Sequence, residues 1–306
     1  ALPSRSPVSP VVLLDRPGPS NRHQSILEVE QYDSVVRYWV IDGFEVANSP
    51  RYGIDLRSTD HLTVQRCNVH DSRVTGILSS FSYHVLLQDN DTHHNHEHGI
   101  YHANSADDGI IRRNKSHHND TCGIHMNGDL NMGGDGIISH AVVENNMIWE
   151  NGNPRGGSAI NCDGVSDSII RNNLCYDNHA SGISLYAVDG TEGSSRNLVC
   201  HNTVVMASDG RWALNIPWWQ RRPAPTGNRA LNNLLLSRNP DTGAIILWGK
   251  EGLTESDHNV VTDRFALDAV IPKDSTLPRA EDDHSPEGGR NPLSLRDWQQ
   301  HGYDAH

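Results

Sequence analysis

The sequence of 306 residues is short of basic charge, of aromatic side chains and of long apolar runs. Lys and Arg number 25 against 38 Asp and Glu, a net charge of −13, which disfavours nucleic acid as a partner. No apolar stretch approaches the roughly 20 residues of a membrane span. The five cysteines (Cys67, Cys122, Cys162, Cys175, Cys200) leave at least one unpaired and show no Cys-x-x-Cys metal spacing. They read as buried core thiols. Aromatic residues make up 6% of the chain, which suits a narrow core with many turns. No leader-like stretch stands at Ala1; a secreted or periplasmic location is expected, with any signal peptide already removed.

What the chain has is a repeat. Between His84 and Asp129 two halves match at an offset of 24 residues: Asn90 falls on Asn114, His93-His94-Asn95 on His117-His118-Asn119, and His98-Gly99-Ile100 on Cys122-Gly123-Ile124. Apolar pieces there are short and alternating, with Asn, Asp and Gly between, so strands and turns are expected and helices are not. A repeat this short cannot bury its own apolar side, and copies must stack into a solenoid. One column of the stack holds Gly43, Cys67, Asn90, Asn114, Asn146, Asn173, Asn202 and Asn233. Asparagine recurring at one turn position predicts a ladder of amides bonded along the axis. A second column holds Gly53, Gly76, Gly99, Gly123, Ala159, Gly182 and Ala213. Alternation after it points Ile100, Ile124 and Ile160 inward and Tyr101, His125 and Asn161 outward. In the later copies the extra residues fall after the same strand, at 127–140, 186–195 and 217–229. Insertions at one corner of a solenoid project from one side and often build its binding face. The expected organisation is a single domain, 1–306: an opening segment or first coil (1–35), regular coils (36–262), and a tail with a capping helix (263–306).

The coil signature, in stretches such as HGIYHANSADDGIIRRN and SGISLY, resembles the right-handed parallel β-helix repeat proteins of the pectate-lyase-like superfamily. The terminal SLRDWQQHGYDAH is similar to the segment that follows the coils in many of them. The resemblance covers roughly residues 36–262 and implies an all-β, right-handed parallel β-helix with an Asn ladder and insertions on one side. It also implies a carbohydrate-active enzyme, in a superfamily that includes polysaccharide lyases, C5-epimerases, glycoside hydrolases and non-catalytic adhesins. The lyase pattern of a Lys after the Gly-Ile of a coil is absent, since Tyr101 and His125 stand there, and so is the epimerase Asp-Pro-His motif. No catalytic set carries over whole.

Several constellations remain. Tyr101, His125 and Asn161 would form a row on adjacent coils about 4.8 Å apart. Abstracting the C5 proton of a uronate needs a base, an acid and a group that neutralises the carboxylate. His125 suits the base, Tyr101 the acid or second base, and Asn161 the neutraliser; the alternative is a merely polar strand face. Asp129, Asp135 and Asp163, near the first insertion, could hold Ca2+. Asp129 and Asp163 could instead be the acid and base of a glycoside hydrolase, or simply turn residues. His70, His93 and His117 share a column and could bind a transition metal, although a stacked structural ladder is favoured. Asn127, Arg155, Tyr186, Trp218, Trp219, Arg221 and Arg222 are candidate substrate contacts, aromatics for sugar rings and arginines for carboxylates; for the tryptophans, anchoring a loop is the alternative. The favoured expectation is a monomeric polysaccharide lyase acting on a uronate-containing chain by β-elimination, with either no cofactor required or Ca2+. The hydrolase is the alternative, then an epimerase or a non-catalytic glycan-binding protein.

Overall fold

A computed structural model describes residues 36–153, 156–267 and 292–306, together with the strands Val11–Leu14, Leu27–Val29 and Val270–Ile271. Most of the opening segment (1–35) and of the tail between 268 and 291 lies outside the described residues.

Short strands of two to six residues follow one another with tight turns between them, as the alternating pattern dictates. Each coil gives one strand to each of three sheets. Among the described residues two sheets have ten strands and the third has nine, and every ladder in them is parallel. The three sheets therefore close around a single axial core.

The register follows the glycine column. Ile54, Ile77, Ile100, Ile124, Ile160, Ile183, Leu214 and Ile245 stand opposite one another along the second sheet, all at 0% exposure. Glycine precedes five of the eight, and alanine (Ala159, Ala213, Ala244) the other three, because the neighbouring coil crowds that point. At Gly99 a Cβ would lie 2.1 Å from the Ser116 Oγ. The five cysteines are buried and in no disulfide. Burial pushes the Cys175 thiol up to about 12, so it stays protonated as a core side chain.

The asparagine ladder runs through Asn90, Asn114, Asn146, Asn173, Asn202, Asn233 and Asn259. Each amide Nδ2 donates to the next Oδ1 at 2.9–3.1 Å. The same oxygen also accepts the backbone N–H of the preceding ladder residue. Cys67, at the foot, donates its N–H to the Asn90 Oδ1. Gly43 is not part of this column. Val40, Ile41 and Asp42 pair with Thr63, Val64 and Gln65, and Glu45 pairs with Asn68, so Gly43 faces Arg66 and Phe44 faces Cys67. Gly43 and Arg66 share a left-handed turn at φ 75 and 54. Ordinary side chains occupy that conformation in later coils, so glycine marks the turn, not the ladder.

A second ladder, not anticipated from the sequence, links Asn95, Asn119, Asn151 and Asn178 at 2.8–3.0 Å. It lies five positions after the first, at the next turn. A third, shorter one joins Asn197 to Asn228. All three satisfy backbone donors that would otherwise be buried at the corners.

The last coil is closed by the helix Leu295–Gln300, whose N-cap Ser294 forms a capping box with Asp297. Trp298, fully buried, stacks between Phe265 and Tyr303 at 4.7 and 4.4 Å.

Candidate functional site on the outer face of the second sheet

The three insertions leave the coils after strands of the second sheet and hold one another. Leu130 donates its N–H to the Asp189 carbonyl, Thr191 to Gly136 and Gly193 to Pro223, at 2.9–3.0 Å. They form one continuous wall on one side of the solenoid.

Beside that wall, Tyr101, His125 and Asn161 stand in register on the strands Ile100–Ala103, Ile124–Asn127 and Ser158–Asp163. The row exists as the alternation implied, but it is not an open polar floor. His125 is 1% exposed and Asn161 0%. Tyr101 is half-buried and can be reached from outside. The Tyr101 ring stacks on His125 with centroids 4.8 Å apart, and Asn127 donates from Nδ2 to the Tyr101 hydroxyl at 3.2 Å. Asn161 spends both ends of its amide inside the protein: Nδ2 donates to the Tyr186 hydroxyl at 2.8 Å, and Oδ1 accepts from Ser158 at 3.1 Å. Tyr186 is itself buried. Asn127 and Tyr186, expected to touch substrate, thus support the face from below.

His125 has a partner that sequence reasoning missed. Its Nδ1 lies 3.1 Å from the His98 Nε2, and the His98 Nδ1 lies 2.7 Å from the Thr121 hydroxyl. Burial pushes His98 down to about 3; burial and the adjacent His98 hold His125 well below the usual imidazole range. Both rings are neutral at pH 7. The signal was present in the repeat, because His98 and Cys122 occupy the position just before the glycine column.

The carboxylates do not converge. Among the described residues, the groups of three or more potential ligands with donor atoms within 4.8 Å of one another do not include Asp129, Asp135 or Asp163. Each of these aspartates is engaged locally. Asp129 accepts from the Asn131 N–H and Asp135 from the Ile137 N–H. Asp163, 2% exposed, accepts from the N–H groups of Val188, Asp189 and Gly190 at 2.9–3.2 Å. Burial nevertheless pushes its carboxyl up to about 7, the three donors pulling the other way. Asp163 therefore organises the second insertion. Asp163→Ala is expected to strand those donors and destabilise the protein by about 3 kcal/mol or more, whereas Asp163→Asn, which keeps an oxygen, should recover most of the loss. Urea unfolding of the two variants checks this; equal stability of the Ala variant and the parent would remove the assigned role.

The tryptophans anchor the third insertion. Trp219 is buried against Tyr186, and Trp218 donates Nε1 to the Arg222 carbonyl at 2.8 Å and meets Trp248 at 5.1 Å. Arg222 in turn donates to the carbonyls of Val188 and Asp189. The Arg221 residue is exposed. Arg155 lies outside the described residues. His70, His93 and His117 stack face to face at 4.8 and 5.0 Å, continued by Trp149 at 4.0 Å. Stacked rings point their lone pairs in parallel instead of at a common centre, so this column is a structural ladder. Two coils earlier on the same strand position, Asp55 stands in register with Tyr101 and is paired with Arg57 at 3.0 Å. Arg51 and Arg57 lie 4.6 and 5.6 Å from the Tyr52 ring.

With the three parallel sheets and their ladders established, comparison with known proteins finds a family match, described as a right handed beta helix region, over residues 27–147. The chain is a right-handed parallel β-helix protein. Among solved structures, this β-helix protein superposes on the A-module of the mannuronan C-5 epimerase AlgE6 of Azotobacter vinelandii. The TM-score is 0.53 and the identity 16%, over 77% of this chain and 64% of that one. A DFA-IIIase from Arthrobacter chlorophenolicus gives 0.51 and 14%, over 79% and 58%. An alginate lyase from a Paenibacillus species gives 0.47 and 12%, over 82% and 84%. The β-helix protein thus spans less than two thirds of the epimerase module and of the DFA-IIIase. Comparison with curated proteins gives no match. Among the described residues, no helix is long and apolar enough to cross a membrane.

Proposed function

We propose that this β-helix protein acts on a uronate-containing polysaccharide, with Tyr101 moving the C5 proton in a β-elimination. The observation that carries the reading is the placement of Tyr101: it is the half-buried member of the row, with its hydroxyl held by Asn127 and its ring backed by His125. An N–H donor at the phenol oxygen stabilises the phenolate that takes the C5 proton and returns it to the departing glycosidic oxygen as the C4–O bond breaks and C4=C5 forms. Arg51, roughly 10 Å along the axis, offers positive charge for a substrate carboxylate in an adjoining subsite. His125 and Asn161 act beneath Tyr101 as its support, since neither reaches the surface. The hydrolase alternative loses its second carboxylate, because Asp163 is held by three backbone donors. A secreted or periplasmic location fits a polymeric substrate.

A second reading shares the carbanion. The mannuronan C-5 epimerase module has the same fold, and reprotonation at C5 from the opposite face would give an epimer in place of a cleaved chain. Incubation with a panel of polyuronates separates the outcomes. Absorbance of unsaturated uronates means elimination. Deuterium incorporation at C5 from heavy water without cleavage means epimerisation. New reducing ends without absorbance would mean hydrolysis and would overturn the reading. Binding with no product would make this a non-catalytic glycan-binding protein.

A further inference from the structure

We propose that His98, Cys122 and His125 form a binding site for a thiophilic divalent transition ion, with Zn2+ as the expected occupant. Each residue offers one donor atom, all within 4.8 Å of one another, and all three side chains are buried. The register explains the convergence. His98 and Cys122 occupy the same position on successive coils, joined by the Gly99 N–H to Cys122 carbonyl bond, and His125 lies three residues beyond Cys122. The next coil repeats the pair with Ser158 and Asn161, which hydrogen-bond each other at 3.1 Å. The soft and imidazole ligands are thus confined to two adjacent coils of the stack.

The spacing of the two imidazoles is close to that of a pair sharing one ion. The His98 Nε2 and His125 Nδ1 stand 3.1 Å apart. Two nitrogens bound to a tetrahedral Zn2+ at 2.0–2.1 Å would stand roughly 3.3 Å apart. Without an ion, one of these nitrogens must donate to the other. A second observation is Thr121, whose hydroxyl lies 2.7 Å from the His98 Nδ1. Placing the His98 proton on Nδ1 and donating it to Thr121 frees Nε2 as a ligand, the outer contact that fixes the tautomer of metal-bound histidines. Binding takes the imidazoles in their neutral form and the thiol as thiolate, with release of the thiol proton. A nitrogen, nitrogen and sulfur set selects Zn2+ or copper over Ca2+ or Mg2+. The site lies directly under Tyr101, whose ring packs against both histidines at 5.0 and 4.8 Å. It stands whatever reaction is assigned to Tyr101.

The test uses the whole chain refolded in the presence of Zn2+ or Co2+ and then dialysed. The expected result is one ion per chain, a raised thermal midpoint, and for Co2+ a thiolate charge-transfer band with tetrahedral d–d absorption. Cys122→Ser should abolish the charge-transfer band, and His98→Gln should lower the affinity at least tenfold. His93→Gln, in the stacked column, should leave both unchanged. If a variant fails to fold, the parent protein's Co2+ spectrum still decides. No stoichiometric ion and no thiolate band in the refolded parent overturns the proposal, as does a band that survives in Cys122→Ser or is lost in His93→Gln.

Discussion

Replacing Asn114 by Ala is expected to lower the urea midpoint sharply, by an amount equivalent to about 3–5 kcal/mol, at an unchanged m value. Asn114 is 1% exposed and sits inside the main ladder. Its Nδ2 donates to the Leu87 carbonyl at 2.9 Å and to the Asn146 Oδ1 at 3.1 Å. Its Oδ1 accepts from both the backbone N–H and the Nδ2 of Asn90 at 3.0 Å. The substitution therefore strands a buried backbone donor and a buried carbonyl and opens a gap too narrow to hydrate well. Neighbouring amides that polarise one another lose strength as well. Asn131→Ala, on the exposed first insertion, is the control and should cost little. If the two variants unfold at the same midpoint, the ladder contributes nothing beyond turn preference.

Tyr101→Phe is expected to keep the thermal midpoint within a few degrees and to lose turnover by about a hundredfold or more. The ring stays, so the stack on His125 at 4.8 Å and the edge contact with His98 at 5.0 Å are retained. The hydroxyl goes, and with it the proton-carrying atom and the acceptor for Asn127. Turnover unchanged in the folded variant would remove Tyr101 from the reaction. His125 makes a poor counterpart for this experiment. It points away from the axial core, as alternation says, yet at 1% exposure its removal would leave a cavity beneath Tyr101 and lower stability along with activity.

The contrast between these residues defines how far the sequence reached. Period and column sufficed for the solenoid, because each coil repeats the same local rules: a left-handed turn, an amide to satisfy its donors, and an inward aliphatic residue. The Ile54 to Ile245 column and the run from Asn90 to Asn233 are direct consequences. The second ladder, Asn95 to Asn178, obeys the same rules and was legible five positions along. The one-residue error at Gly43 arose because glycine and Arg66 both tolerate the left-handed turn.

Insertions carry no repeat, and there the sequence stopped being sufficient. It placed three of them at one corner, but not their contact with each other, the locking of Asp163 by Val188, Asp189 and Gly190, or the use of Trp219 and Arg222 as internal braces. Alternation gives the direction of a side chain, not what lies over it, so the row of Tyr101, His125 and Asn161 was determined while its burial was not. That was decided by packing between coils: His98 reaching across to His125, Ser158 and Tyr186 closing on Asn161, and Tyr101 alone of the three left within reach of a ligand. Local periodicity sets backbone register because it acts through nearest neighbours along the axis, whereas access to a side chain depends on chain segments that obey no period.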